Sequence, residues 1–344
     1  MTITSEEILA GLQQLFEENY GEAAQFRARQ LRIDQSEYVN DEELDKLEER
    51  EAEEVLTISE LGKGQPLEGL PEEVSLVAVD SSSLHLGETD EGLAVAVRVS
   101  IVKQAGNTVT TEKFGPFVAH LTPKNTRTIY NSLRACLGQT DEAQSPALYK
   151  MPDRIRNLVE RIAQRYACTL VSGGIILLDG ALTRSMDTPR GIFETLFEAA
   201  QANSNSIVAI SKHTRLWLTS GKRLIDIFKG VENPTLVEIP FDLIKTKVDD
   251  LLGTVHVVKF TADGFTFRVD VKAHSGDCRE KIRIVKAATN FRYGYPEILC
   301  RAHINAFFTP VEGISLQGMF AERHTLEVLP SFDLRTYVFG PFGG

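Results

Sequence analysis

The sequence predicts an α/β protein built on a mixed sheet, which starts as an antiparallel meander and continues as parallel strands. Two unbroken apolar runs, in VSLVAVD (74–80) and GGIILLDG (173–180), lack the alternation of a half-exposed strand. Such runs are typical of strands that are buried on both faces. Amphipathic helical patterns precede and follow the second run, so the later strands connect through helices, as parallel strands require.

The predicted elements follow a definite order along the chain. Three strands come first, at 74–80, 93–102 and 108–114, and Gly106-Asn107 forms the turn between the last two. The elements that follow are a helix capped by Thr122 with Pro123 at its first position, through about Leu137, a helix at Met151–Ala167, a strand at 174–178, a helix at 191–203, a strand at 206–212, a hairpin of 255–260 with 265–271, and a helix from Pro296 to about Phe308. This order matches the ribonuclease-H-like fold, in which helical crossovers extend a meander with parallel strands.

The composition is that of a globular protein. The 344 residues are 42% hydrophobic and 25% charged. Every apolar run falls short of the roughly 18 residues that span a bilayer, and the N-terminus lacks the basic region of a signal peptide. No two of the four cysteines have the spacing of a zinc-binding pair. We therefore expect a cytoplasmic protein without a membrane partner.

The net charge of −11 is concentrated near the N-terminus. Residues 1–70 hold 18 acidic and 6 basic side chains, whereas residues 71–344 hold 30 acidic and 31 basic ones. We expect an acidic helical arm over 1–61, which opens with the capping box Thr4-Ser5-Glu6-Glu7, and a body over 70–344. The Glu-rich stretch 41–56 is predicted to be either a solvated helix that projects from the body or a docking arm. The nearly neutral body can carry basic surfaces, so the acidic total does not exclude a nucleic-acid partner.

Two of the buried-type strands end in an aspartate, Asp80 and Asp179. If these strands are neighbours in one sheet, both carboxylates lie at the same end, where ligand sites of such sheets are found. Two close carboxylates repel each other, so either one is protonated or a cation bridges them. Mg²⁺ and Mn²⁺ prefer such oxygen ligands. The alternative is that each aspartate makes a turn or caps a helix.

Further side chains are candidates for the same site. Glu160 lies about 130° from the apolar stripe of its helix, and is either a ligand or a solvated residue paired with Arg156. His303 is a late ligand, a proton donor to a leaving oxygen, or a structural histidine. Lys212 either neutralises a phosphate oxygen or is a surface lysine.

The candidates for contact with a nucleic acid are Arg184, Arg215 and Lys222, which would bind phosphates, and Trp217, which would stack on a base or belong to the core or an interface.

Four motifs in the body resemble those of the NurA family of DNA end-processing nucleases. They are AVDSSS (78–83), LLDGALTR (177–184), AISKHTR (209–215) and GYPEILCRAHINAF (294–307), in the order of the family. The resemblance places the family's metal-binding acids on Asp80, Glu160 and Asp179, and its lysine after the next strand on Lys212. It places the late Tyr-Pro…Ala-His motif on Tyr295, Pro296, Ala302 and His303. Ala181 departs from the family, since many members have serine there.

The resemblance implies a ribonuclease-H-like, metal-dependent DNA nuclease. It implies 5′ to 3′ exonuclease and single-strand endonuclease activity on DNA ends, with two Mn²⁺ or Mg²⁺ ions bound by Asp80, Glu160, Asp179 and His303. It also implies a homodimer and a HerA-type hexameric ATPase as partner in end resection and double-strand break repair. The Phe-rich tail at 337–344 is a candidate contact for the dimer or the ATPase, or else a loose terminus. The alternatives are another ribonuclease-H-like nuclease, such as a junction resolvase or an RNase, and a catalytically weak adaptor that grips DNA for a translocase.

Overall fold

The computed structural model describes residues 5–18, 28–33, 56–58, 64–184, 190–214, 216–241 and 251–330. None of the helices in these ranges is long and apolar enough to cross a membrane. The helices are α1 (Ser5–Glu18), α2 (Thr126–Cys136), α3 (Met151–Ala167), α4 (Arg190–Ala202), α5 (Cys278–Ala288), α6 (Glu297–Ala306) and α7 (Pro310–His324). The strands are β1 (Gln30–Ile33), β2 (Leu56–Ile58), β3 (Gln65–Pro66), β4 (Ser75–Thr89), β5 (Leu93–Ala105), β6 (Thr108–Leu121), β7 (Ile175–Asp179), β8 (Ser206–Ser211), β9 (Leu216–Leu218), β10 (Thr235–Ile239), β11 (Thr254–Lys259), β12 (Thr266–Lys272), β13 (Phe291–Arg292), β14 (Tyr295–Pro296) and β15 (Glu327–Pro330).

One sheet of eleven strands runs through the described part of the chain. Strands β6, β5 and β4 form an antiparallel meander, and β7 and β8 follow β4 as parallel strands. The order β6-β5-β4-β7-β8 is that of a ribonuclease-H-like core, which confirms the predicted fold class. Beyond β8 the antiparallel strands β12, β11, β10 and β3 extend the sheet, and β1 and β15 join it beside the far end of β4.

Both faces of the central strands are buried, as their unbroken apolar runs predict. Val79 of β4 and Leu178 of β7 face the core formed with α1 to α4. Ala78 and Leu177, which alternate with them, face the core formed with α5 and α6. Each leucine so buried contributes about 1.5–3 kcal/mol relative to an exposed one, so both helical layers hold the same strands.

The meander strands are longer than predicted. Strand β4 continues nine residues beyond Asp80, because Ser81, Ser82 and Ser83 keep their pairing with β5 although they break the apolar run. Strand β6 reaches Leu121 in the same way. Serine is a weak strand former, and cross-strand pairing overrides its preference here. Asp80 therefore does not end its strand, which corrects the prediction; it lies where the neighbouring strand β7 ends.

Helix α2 begins later than predicted, at Thr126 instead of Thr122. The Thr122 carbonyl accepts hydrogen bonds from the amides of Asn125 and Thr126, and the Asn125 side chain accepts one from the Thr122 amide at 2.8 Å. These bonds close a turn around Pro123 before the helix starts. The helix at Met151–Ala167 and the hairpin of β11 with β12 are confirmed.

The N-terminal segment contributes to the body of the protein. Leu9, Leu12 and Phe16 of α1 are fully buried in the core with α2 to α4, and β1 pairs with β4 and β15. Leu56, the last residue of the predicted Glu-rich helix, instead lies in strand β2, which pairs with β9. The rest of that stretch, 41–55, lies outside the described residues, as do Thr4, Arg215 and the tail at 337–344. The division into an arm over 1–61 and a body over 70–344 stays a prediction.

The buried histidine His120 makes the stability of this fold depend on pH. It is 3% exposed, its Nε2 lies 2.9 Å from Thr89 Oγ1, and burial lowers its pKa from 6.5 to about 4. Between these two pH values the unfolded chain binds a proton at this position and the folded chain does not. The His120 contribution is therefore complete above pH 6.5 and falls by about 1.4 kcal/mol per pH unit as the pH drops toward 4. Urea unfolding of wild type and His120→Gln across this pH range should show a shallower slope in the variant. His213→Gln, at an exposed histidine, is the matched control, and equal slopes in all three proteins would contradict the assignment.

Candidate active site

The parallel register of β4 and β7 brings Asp80 and Asp179 to neighbouring positions. Val79 pairs with Leu178, so the two aspartates take the next place in their strands. By the alternation of the strands, both project to the face that α5 and α6 cover. The sequence prediction of two acids at one end of adjacent strands is therefore consistent with the register.

Asp80 links the first strand of the core to the late helix α6. Its Oδ2 lies 2.8 Å from Nδ1 of His303, and its Oδ1 accepts a hydrogen bond of 2.8 Å from the amide of Ser81. Asp80 is only 8% exposed, whereas 47% of the His303 side chain remains exposed. An Nδ1–H that donates to Asp80 presents Nε2 as the other functional nitrogen of His303.

Glu160 reaches the same place from α3, on the opposite side of the sheet. It is 9% exposed, its Oε2 accepts a bond of 2.5 Å from Ser81 Oγ, and its Oε1 accepts one of 2.8 Å from Gln164 Nε2. Burial and the negative charge of Asp80 raise the pKa of Glu160. Of the two interpretations of Glu160, the structure excludes the solvated one. Its hydrogen-bonding partners are neutral, and Arg156 lies 3.9 Å from Asp153.

Asp179 forms an ion pair with a lysine. Lys212 Nζ donates to Asp179 Oδ2 at 2.7 Å and sits 4.7 Å from the centre of the Tyr295 ring. Burial and the nearby Asp179 carboxylate raise the pKa of Tyr295 well above its ordinary value, so its hydroxyl stays protonated. The predicted residues Asp179, Lys212 and Tyr295 thus come together from three separate segments.

The loop after Asp179 is anchored by a buried ion pair that the sequence analysis did not identify. Gly180 has φ +110, a conformation that favours glycine, and turns the chain away from β7. Asp270 of β12 then accepts a bond of 2.9 Å from the Leu182 amide, and Arg268 donates to Thr183 Oγ1 at 3.0 Å. Arg268 and Asp270 are bonded to each other at 2.8 Å. Two charges two residues apart in an apolar strand, FTFRVDV, were the available signal, since they share one face.

The predicted nucleic-acid contacts are less closely tied to the carboxylates. Arg184 follows the anchored loop and is exposed. Trp217 and Lys222 lie on one tight turn, where the Leu218 amide donates to the Lys222 carbonyl at 2.9 Å. Lys222 is exposed and Trp217 half-buried, and no hydrogen bond or ion pair of the described residues joins this turn to the carboxylates. Their role in binding stays a prediction.

The donor chemistry of the site fits a hard divalent cation. Asp80 and Glu160 are two buried carboxylates. Burial and then the charge of Asp80 raise the pKa of Glu160, and a cation between the two carboxylates would relieve their repulsion. Carboxylate oxygens are the ligands that Mg²⁺ and Mn²⁺ prefer. In the described side-chain positions, however, no three His, Cys, Asp or Glu residues are close enough to hold one ion. An ion held by three of these side chains would therefore require them to move from the described positions.

Fold and site together define a class: a ribonuclease-H-like α/β protein with acidic residues gathered where the central parallel strand β7 ends. No protein-family model matches the sequence, and no curated protein matches it. Among solved structures, the chain is similar to the NurA nuclease from Sulfolobus solfataricus, with 15% identity and a TM-score of 0.49 over 76% of this chain and 88% of that one.

Two further structures show the same range of similarity. A NurA bound to dAMP and manganese has 10% identity and a TM-score of 0.43, over 72% of this chain and 88% of that one. Endonuclease V from Ciona intestinalis, in complex with an inosine-containing 24mer DNA, has 13% identity and a TM-score of 0.37, over 81% of this chain and 100% of that one. The fold assignment rests on the strand order of the chain itself.

The ion pair below the Asp179 loop gives a stability prediction. Arg268 and Asp270 are 4% and 1% exposed, so Asp270→Ala leaves a buried guanidinium without its carboxylate. We expect the free energy of unfolding to fall by about 3–5 kcal/mol, measured by urea denaturation. The double variant Arg268→Met/Asp270→Leu, which buries no charge, should recover a large part of the loss. A double variant as unstable as Asp270→Ala would show that charge burial is not the cause.

Proposed function

We propose that this chain is a divalent-metal-dependent DNA nuclease that hydrolyses phosphodiester bonds at the site of Asp80, Glu160, Asp179 and His303. The observation that carries the proposal is the joining of β4, α3 and α6 at one point. Asp80 bonds His303 directly and is linked to Glu160 through Ser81. Residues far apart in sequence converge there, although burial of two acids side by side costs stability.

Asp80 and Glu160 are the proposed principal metal ligands, with Asp179 and His303 as further ones. A pair of bound divalent ions would supply an activated water and stabilise the leaving oxygen. Ser81 and Gln164 orient Glu160 by donating to its two oxygens. Asp80 accepts the hydrogen bond from His303 Nδ1–H, so Nε2 would serve either as a metal ligand through its lone pair or, when the imidazole is doubly protonated, as the proton donor to the leaving oxygen. Lys212, 45% of whose side chain is exposed, can leave Asp179 to neutralise a phosphate oxygen.

The motif resemblance extends the proposal to substrate and partners. It supports DNA ends and single strands as substrate, 5′ to 3′ exonuclease and single-strand endonuclease activity, and a role in end resection with a HerA-type hexameric ATPase. It also supports a homodimer in the cytoplasm, and symmetric dimers are the commonest oligomers. Light scattering that gives the mass of one 38.2 kDa chain at micromolar concentration would contradict the dimer.

Substitution of the acids tests the nuclease. Asp80→Asn and Asp179→Asn keep the side-chain size but remove a charge and a good ligand for a hard ion. We expect cleavage of labelled DNA in Mn²⁺ to fall at least about 100-fold, since a bound ion supplies several kcal/mol of transition-state stabilisation. Chelation by EDTA should abolish wild-type cleavage, and added Mn²⁺ should restore it. Affinity for DNA should persist, because phosphate contacts are made elsewhere.

The metal-free melting temperature separates a catalytic role from a structural one. Asp80→Asn removes the negative charge that repels Glu160, so the melting temperature of this variant should hold or rise. Asp90→Asn, at the exposed turn after β4, is the matched control and should cleave as wild type does. Near wild-type cleavage by Asp179→Asn would remove that residue from the mechanism. A wild-type chain that binds DNA without cutting it would instead support the adaptor, and preference for junctions or RNA over linear DNA would support the other nucleases.

A further inference from the structure

We propose that Phe265 and Tyr293 form a platform on which unpaired nucleobases stack beside the candidate active site. The proposal names a binding surface for the substrate of that site, and it rests on the proposed nuclease function. Each of the two side chains is 70% exposed, although aromatic rings are usually among the more buried groups. They project from two adjacent turns, and Phe265 and Tyr293 together form an aromatic rim.

Tyr293 occupies a position that disfavours tyrosine. Arg292 pairs with Tyr295, so Tyr293 and Gly294 form a two-residue hairpin turn, and their φ angles are +53 and +82. A turn with positive φ at both residues prefers Asn-Gly or Gly-Gly, whereas a bulky side chain in this conformation is strained. Such strain is concentrated at functional sites. The ring gains little burial in return, so packing does not explain a tyrosine here.

Phe265 lies in the neighbouring turn, between β11 and β12. Its amide donates to the Tyr293 carbonyl at 2.9 Å, which ties the two turns together. Gly264 and Gly294 pack against each other so closely that a Cβ on Gly264 would lie 2.6 Å from the Gly294 Cα. Glycine is therefore required at this contact, which holds together the two turns that carry the aromatic residues.

Aromatic pairs below the turns make the rim rigid. The Phe260 and Phe291 rings are stacked with their centres 4.8 Å apart, and Phe267 and Tyr295 meet at 5.4 Å. Both pairs join the β11–β12 hairpin to the β13–β14 hairpin. Because the turns are fixed before a ligand binds, little conformational freedom is lost on stacking, which favours affinity.

Two connections along the chain place the rim next to the end of the sheet that carries the candidate active site. Tyr293 is two residues from Tyr295, so their Cα atoms are at most about 7.6 Å apart, and the Tyr295 ring lies 4.7 Å from Lys212 Nζ. Phe265 is three residues before Arg268, which pairs with Ser211 at the end of β8, immediately before Lys212. A strand whose phosphate lies at Lys212 therefore has its neighbouring bases within reach of the rim.

Nucleobases are the ligands that the aromatic rim and its neighbouring side chains favour. Every base has a flat face that stacks on an aromatic ring, and bases are exposed only when unpaired. The exposed Arg292 beside Tyr293 adds positive charge for the phosphates. The acidic side chains nearby are Asp263, in the turn of Phe265, and Glu297, which is paired with Arg301. The rim would favour single-stranded or frayed ends over intact duplex, and it would be tolerant of sequence.

Binding of DNA with and without bases tests the platform. The probes are a labelled single strand of about 12 nucleotides, within the usual site sizes, and an abasic strand with the same phosphates, measured by fluorescence anisotropy in EDTA. Wild type should prefer the strand with bases, and Tyr293→Asn or Phe265→Ala should each lose roughly 5- to 150-fold of that preference. Affinity for the abasic strand and the salt dependence of binding should stay unchanged.

The variants are chosen so that folding does not decide the result. Asparagine suits the turn, so Tyr293→Asn should melt at the wild-type temperature or above. Tyr293→Phe keeps a ring and should keep the preference. Tyr149→Ala removes a ring that is 67% exposed elsewhere and is the matched control.

The possible results separate the platform from the nuclease. A wild-type protein that cuts DNA but binds both strands equally would overturn the platform and leave the nuclease standing. Unchanged base preference in both variants would also overturn it, and would leave the rings as a surface for a protein partner. A wild-type protein that neither binds nor cuts DNA would overturn both proposals.

Discussion

The structure depends on the register between β4 and β7. Val79 lies opposite Leu178, and β7 stops one residue later while β4 continues. Asp80 is thus a carboxylate within a long strand, beside the last residue of the shorter one. His303 contacts Asp80 on one face of the sheet, and the next residue of the strand, Ser81, contacts Glu160 on the other. A shift of one residue would turn Asp80 into the core with α1 to α4 and separate these groups.

The acids of the site are kept in place by neutral or weakly held partners. Glu160 is bonded by a hydroxyl and an amide, and the lysine on Asp179 is half-exposed. The Arg268–Asp270 pair differs, since it is buried, joined by two hydrogen bonds and hydrogen-bonded to the loop after Asp179. The strong pairing lies beneath the site, and the charges above it stay available to an ion or a phosphate. This distribution suits a site that must bind and release charged groups.

The sequence predicted the strand order and the convergence of the acids for definite reasons. Buried parallel strands and helical crossovers leave clear patterns, and Asp80, Asp179 and Lys212 all follow apolar runs. The length of β4 was not predictable, because Ser81 to Ser83 carry no strand signal and are held only by cross-strand pairing. Whether Glu160 is buried could not be predicted from the sequence, for a similar reason. Its side of α3 faces the sheet, which depends on tertiary packing rather than on the apolar stripe.

Several departures from local preference lie at one end of the sheet. A carboxylate sits within a strand at Asp80, it shares a buried place with the second acid Glu160, and a tyrosine occupies a left-handed turn at Tyr293. The other described non-glycine residues with positive φ, Ser204 and Thr325, follow the C-termini of α4 and α7, where a left-handed residue is common. Agreement between local and global preferences stabilises a fold, and exceptions that cluster mark the place where another requirement dominates. The aromatic rim and the acidic site are neighbours, so one substrate that presents phosphates to the acids and bases to the rings would account for both sets of exceptions.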